Sequence, residues 1–375
     1  MSTATNDSQT TVRSRRVWKT VVLLVLTLGA ILVLRWANLS TPQPVDEMLV
    51  LSGEVWTTTY SIKVVPSAQV PSDVDAMRAA VDRELMQVED TMSRFKSGSL
   101  LDRFNRHEST ESLPVTEELA DLVQLALDVS VATGGSYDVT VAPLVRLWGF
   151  DAQKGRVIGP SQEDIDEMHK RVGYRLLTVE RDPPALRKGT PLLDVDLSSI
   201  AKGYGVDRVA LALEDLGYHR YMVEIGGEIR VKGTRPDGES WRIGVERPLE
   251  DRREIHRVLP LKSGSMASSG EYRNFYELDG KRVSHTIDPA MGRPIAYLSS
   301  SVTVVADRCS EADAWATAMN VLGPERGLQL ANELGLSVLF VVRSDDGTWE
   351  DRESHAFARR FSATEGADSN GNATR

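Results

Sequence analysis

Cysteine is nearly absent. Cys309 is the only one in 375 residues, so no internal disulfide can hold the fold together. Histidine is scarce as well: His107, His169, His219, His256, His285 and His355 stand singly, with no HExxH or CxxC pair. A closed zinc site therefore lacks a ligand set, and any metal should be a hard one held by oxygen. A basic surplus is also missing, since 44 lysines and arginines against 54 acids leave a net charge of −10. No nucleic-acid partner is expected of such a chain. No repeat with a period of 20–50 residues is visible, which argues against a solenoid. What remains is a hydrophobic fraction of 41% and a charged fraction of 26%. These are globular averages, in a chain long enough for a sizeable core.

The clearest targeting signal is N-terminal. Arg13, Arg15, Arg16 and Lys19 precede an uncharged apolar run over residues 20–34, which Arg35 and Trp36 close. The run is short of the roughly 20 residues of a full span. Trp18 and Trp36 at the two interfaces, with Lys19 and Arg35 snorkelling, extend it to a workable length. No small-x-small cleavage site follows clearly, so the reading is an uncleaved signal anchor rather than a removed signal peptide. No cysteine stands behind the run to carry a lipid. The positive-inside rule sends everything after Arg35 outward. The expected organisation is a cytoplasmic basic terminus at 1–16, a membrane helix at 17–37, a linker at 38–49, a folded domain at 50–361 and a disordered polar tail at 362–375.

Within the body, residues 53–65 alternate like a strand, and residues 72–95 carry Met77, Val81, Leu85 and Val88 at helical spacing. Residues 117–133 and 206–216 repeat the helical stripe. Residues 221–231, 241–246, 302–306 and 337–342 read as strands, and 310–322 as a helix. Strands in hairpin-like succession between long helices predict an α+β fold with mixed, largely antiparallel sheets and packed helices, preceded by one membrane helix.

Four segments can carry chemistry. In residues 196–207 (DLSSIAKGYGVD), Asp196, Ser199, Lys202 and two glycines stand where a helix begins, and a helix start aims free N–H groups at an anion. The plainer alternative is an ordinary helix entry capped by Ser199. In residues 310–317, Asp313 and Thr317 share one helix face and supply part of a magnesium shell. Alternatively, Ser310 and Asp313 form a capping box and Thr317 bonds back to a carbonyl. In residues 284–294, His285 at a strand end is a general base, a phosphate partner or a structural histidine. Gly134, Gly135 and Ser136 follow a helix and either cap it or bring backbone close to a ligand. The Gly226-Gly227 pair is a bulge or a point of close approach.

Together with MSRF at 92–95 and the strand at 53–60, these segments resemble the ApbE family, the FAD:protein FMN transferases, in the family's order and across the folded body. The resemblance implies a magnesium-dependent reaction that splits FAD at its pyrophosphate and attaches FMN to a threonine of an acceptor redox protein, outside the cytoplasmic membrane. It implies Mg²⁺ held by Asp313 and Thr317, with Ser199 and the Ala316 backbone nearby. FAD is expected against Trp56, Phe95, the Gly134, Gly135 and Ser136 backbone, Asp196, Lys202 and Ile287. His285 is the expected base, with Asp313 the other contender. A hydrolase of the same fold and a membrane-anchored flavin carrier are the competing readings.

Overall fold

The computed structural model describes residues 48–67, 70, 72–150, 158–270, 275–278, 280–295, 300–344 and 346–368. Contacts divide the chain after Asp46, and the fold below is that of the second unit. The expected membrane helix at 17–37 lies outside the described residues. Among those described, no helix is long and apolar enough to cross a membrane.

One eight-stranded sheet organises the molecule, its strands in chain order: β1 (Leu49–Val55), β2 (Thr58–Val64), β3 (Tyr221–Ile225), β4 (Glu228–Lys232), β5 (Ser263–Gly270), β6 (Ser300–Ala306), β7 (Ser337–Arg343) and β8 (Trp349–Glu353). Every neighbouring pair is antiparallel. The expected antiparallel α+β class is what the described residues form. Alternation sets the faces, because successive side chains of a strand point to opposite sides. On β5 and β6, Ala267, Val302 and Val304 pack toward the long helix Cys309–Leu334, while Met266 and Val305 pack into a second cluster with Trp241 and Phe357.

Residues 53–65 are not one strand. They break at Trp56 and Thr57 into the hairpin of β1 and β2, and Trp56 takes a left-handed backbone (φ 53°). Likewise Gly226 (φ 64°) and Gly227 (φ 107°) are neither a bulge nor mid-strand. They form the two-residue turn joining β3 to β4, where both central positions need positive φ.

The helices that matter for the site are α1 (Val74–Met92), α2 (Glu117–Ala132), α3 (Ala201–Asp215), α4 (Cys309–Leu334) and α5 (His355–Asp368). Asp73 caps α1 by accepting from the Ala76 amide at 2.9 Å, and Thr116 caps α2 through the Leu119 amide. Helix α4 is interrupted at Gly323 (φ 73°), and Pro324 opens its second segment. Helix α5 runs to Asp368, past Phe361, where the folded body was expected to end.

Helices α3 and α4 cross at Gly203. A Cβ there would lie 2.3 Å from the Cys309 carbonyl oxygen and 2.8 Å from the Asp313 Cβ, so no side chain fits. Both contacts are with a helix that cannot retreat, because Cys309 and Ala312 are wholly buried. Gly203→Ala should therefore destabilise the fold by about 2 kcal/mol or more, despite the higher helix propensity of alanine. Urea unfolding measures this, and an unchanged midpoint would show that the crossing is loose.

Candidate active site

Two helix starts meet at the floor of the site, and each is capped by the other. The first turn of α3 has no side-chain cap of its own. Its Gly203 amide donates to Asp313 Oδ2 at 2.9 Å, from α4. Conversely, Asp207 of α3 accepts from the Cys309 amide on Oδ1, and from the Ser310 amide and hydroxyl on Oδ2, each at 2.9 Å. Neither of the alternative capping readings holds. Ser199 is not the cap of α3, and Ser310 with Asp313 is not a capping box. At the Gly203 crossing, the carboxylate of the opposite helix reaches the free amides. The Ser199 hydroxyl instead bonds the Tyr137 hydroxyl at 2.9 Å.

Lys202 follows from that arrangement. Its ammonium lies 2.5 Å from Glu228 Oε1 and 3.7 Å from Asp313 Oδ1, between two carboxylates that are almost wholly buried. Burial pushes the Glu228 carboxyl up to about 7, with Lys202 pulling the other way. Burial likewise raises Asp313 against the Lys202 charge and the Gly203 N–H. For Lys202 itself, burial disfavours the charged amine, but Asp313 and Glu228 outweigh it and hold the amine above the usual lysine value. Glu228 Oε2 is buried and has no hydrogen-bond partner among the described residues. An orphaned carboxylate oxygen beside a raised aspartate is an electrostatic vacancy for positive charge.

Above this floor lies a cavity of about 460 Å³, walled by Tyr137, Glu228, His285, Asp313 and Thr317 together with Ser136, Asp196, Ser199 and Ile287. Thr317 stands one turn after Asp313 and makes no bond back to a carbonyl among the described residues. His285 sits between two short hairpins, its ring edge-on to Phe150 with centroids 6.3 Å apart. A second cavity of about 560 Å³ adjoins, lined by Trp56, Met92, Phe95 and Ala201. The two share Ser198 and Lys202. Both volumes fall within the range that encloses small molecules.

Most of the residues anticipated from sequence converge here, some in altered roles. The Trp56 ring covers Gly205, where a Cβ would approach it to 2.7 Å. Phe95 is 72% exposed at the rim, with the Arg94 guanidinium 4.9 Å above its ring. Asp196 is a joint rather than an open acceptor, bound by Arg94 at 2.8 Å and by the Ser198 amide and hydroxyl. Gly134 and Gly135 do not line either cavity. Their positive φ values end α2, and their amides bond back to Val131 and Ser130. The side chain of Ala316 packs with Val302 and Phe340. Tyr137, Asp207 and Glu228 were not singled out by sequence. The only signals for them were a position just after a glycine pair for Glu228, a position two residues after one for Tyr137, and a turn's spacing from Gly203 for Asp207.

Among the described residues, no three His, Cys, Asp or Glu side chains cluster as a metal cage. The donors present are two carboxylates, Asp313 and Glu228, and two hydroxyls, Ser199 and Thr317. That hard-oxygen set with incomplete coordination fits a small divalent cation that keeps waters and takes further ligands from a substrate phosphate.

A sheet hairpin, two mutually capped helices and this twin cavity are a fold and site in which the chain can be placed by comparison. It belongs to the ApbE family, which it matches over residues 56–340. The FAD:protein FMN transferase of Vibrio cholerae is 42% identical over 301 residues, covering 80% of this chain and 89% of that one. The Escherichia coli K12 protein of the same name is 38% identical over 329 residues, 84% and 92% of the two chains. Among solved structures, the flavin transferase ApbE from Vibrio cholerae aligns with a TM-score of 0.76 at 40% identity, over 84% of this chain and 99% of that one. The Pseudomonas stutzeri flavinyl transferase ApbE in its apo form aligns with a TM-score of 0.76 at 35% identity, over 84% and 97%.

Removing the Lys202 charge leaves two buried acids facing each other. Lys202→Met should cost about 2 kcal/mol of stability, less than a fully buried pair would, because the lysine side chain is 35% exposed. Adding Glu228→Gln should recover more than half of the loss, a non-additivity that urea denaturation of both variants at neutral pH measures.

Proposed function

We propose that this protein transfers FMN from FAD to a threonine side chain of an acceptor redox protein, releasing AMP. The observation that carries this reading is the pair of adjoining cavities. One has Trp56, Phe95 and Met92 among its walls, suited to a flat ring system; the other is lined by hydroxyls, carboxylates and a histidine, suited to phosphates and their counter-charge. Their junction at Ser198 and Lys202 is where the link between the two ends of a dinucleotide would cross. The names of its relatives supply the donor and the group transferred.

In this reaction the threonine oxygen forms a bond to the FMN phosphorus while the pyrophosphate P–O bond to AMP breaks. Asp313 and Thr317, with Ser199 and Glu228 at hand, would hold Mg²⁺, which when bound supplies charge neutralisation at the pyrophosphate. The threonine proton goes to His285. His285 lines the same cavity, whereas both oxygens of Asp313 already face a donor or a cation, at Gly203 and Lys202. Asp196 holds Arg94 at the junction, and Trp56 and Phe95 flank the ring end. The segment at 17–37 anchors the enzyme in the cytoplasmic membrane with the catalytic domain on the extracytoplasmic side.

The test is incubation of the full chain with FAD, Mg²⁺ and a purified acceptor bearing a flavinylation threonine. Covalent FMN should appear in the acceptor's intact mass and be absent with chelator. Release of FMN and AMP beside an unmodified acceptor would make the protein a hydrolase instead, and intact FAD in the presence of Mg²⁺ would make it a carrier. Asp313→Ala should abolish turnover. His285→Ala should lower the transfer rate by about 10²-fold or more while changing FAD affinity little. Equal losses in rate and affinity would demote His285 to a binding role.

A further inference from the structure

Tyr137 is 2% exposed, its ring embedded in the cluster that holds Phe104, Leu197 and Ile200, while its edge lines the polar cavity. Its hydroxyl and that of Ser199 are 2.9 Å apart. Two hydroxyls carry two hydrogens, and one contact uses one of them. Neither hydroxyl makes another hydrogen bond among the described residues, so one hydrogen of the pair is left over at the cavity wall.

The neighbouring acids do not take it. Asp138 accepts from the Thr140 amide and hydroxyl and from the Tyr174 amide. Asp196 is held by Arg94 and Ser198, and Asp313 by Gly203. A buried hydroxyl hydrogen without an acceptor costs about 1–3 kcal/mol, so the arrangement is made for an acceptor that enters the cavity.

We infer that Tyr137 is a further substrate-binding residue of this site: it takes the Ser199 hydrogen and donates its own to a phosphoryl oxygen of the dinucleotide. Ser199 then presents only lone pairs to the cavity, the orientation a cation beside Asp313 and Thr317 requires. Tyr137 thus contacts substrate directly and positions Ser199. This inference rests on reading the polar cavity as the pyrophosphate site.

The test uses the full chain carrying Tyr137→Phe, which removes one oxygen and leaves the ring packing. FAD affinity is read by flavin fluorescence in the presence of chelator, Mg²⁺ affinity by calorimetry without FAD, and the thermal midpoint alongside. FAD binding should weaken about tenfold or more, the size of one hydrogen bond to a charged group. Mg²⁺ binding should weaken as well, and the midpoint should stay within about 2 °C. The double variant with Ser199→Ala should lose no more Mg²⁺ affinity than the weaker-binding single variant. Unchanged FAD affinity overturns the inference, and so does a loss of affinity matched by a large fall in midpoint. A wild-type chain that binds no FAD would instead sink the functional reading on which the inference rests.

Discussion

The site depends on one reciprocal contact: two helices cap each other's first turn across a glycine. The free N–H groups of a helix start need acceptors, and a carboxylate placed there also meets the positive end of the helix dipole. Asp207 supplies this for α4, and Asp313 supplies it for α3. Because each carboxylate belongs to the opposite helix, the caps fix relative position as well as local structure. Asp207 is itself held by Arg230 at 2.7 Å, which ties the crossing to β4 and so to Glu228, two residues away on the same strand. One contact network therefore sets the distance between Asp313, Lys202 and Glu228.

That network places charge where burial opposes it. Two acids and one amine lie together on the floor of the cavity, and burial raises both acids although a lysine stands between them. A buried ion pair contributes little net stability, because desolvation offsets the Coulomb gain. The reason to keep one is better sought in function, since a floor of two buried acids favours added positive charge. Asp313 serves both purposes at once, since Oδ2 is committed to the Gly203 amide while Oδ1 faces Lys202 and the cavity.

The parts of this arrangement legible in the sequence were those with local signatures. Asp313 and Thr317 share a face because they are four apart on a helix, and that spacing survives any tertiary context. The antiparallel α+β class followed from alternation and interspersed helical stripes. What escaped had no local signature. Residues 53–65 alternate without a Gly, Pro, Asn or Asp at the break, so nothing in the pattern marks a turn at Trp56, a tryptophan held at positive φ against its preference. Ser199 and Ser310 have the residue type and position of caps, yet both are displaced by carboxylates more than a hundred residues away in sequence, a competition that only the helix crossing decides. Glu228 directly follows a glycine pair and Tyr137 stands two residues after another, and such pairs announce turns without saying what the side chains beyond them meet.

The strain at Trp56 connects the two halves of the site. A non-glycine residue in the left-handed region costs on the order of 1 kcal/mol or more and persists only where its surroundings over-determine it. Here the surroundings are Gly205 on α3, whose missing side chain leaves room for the indole, and the two-residue β1–β2 turn, whose first central position takes positive φ in tight hairpins. The same helix thus uses one glycine, Gly203, to admit α4 with its face of Asp313 and Thr317, and a second, Gly205, to admit the aromatic wall of the neighbouring cavity. With Lys202 on the same first turn lining both cavities, the start of α3 is the element that registers one cavity against the other. A shift of that turn would move both walls together and preserve their spacing, which is the property a site must have if it is to hold one extended dinucleotide across two compartments.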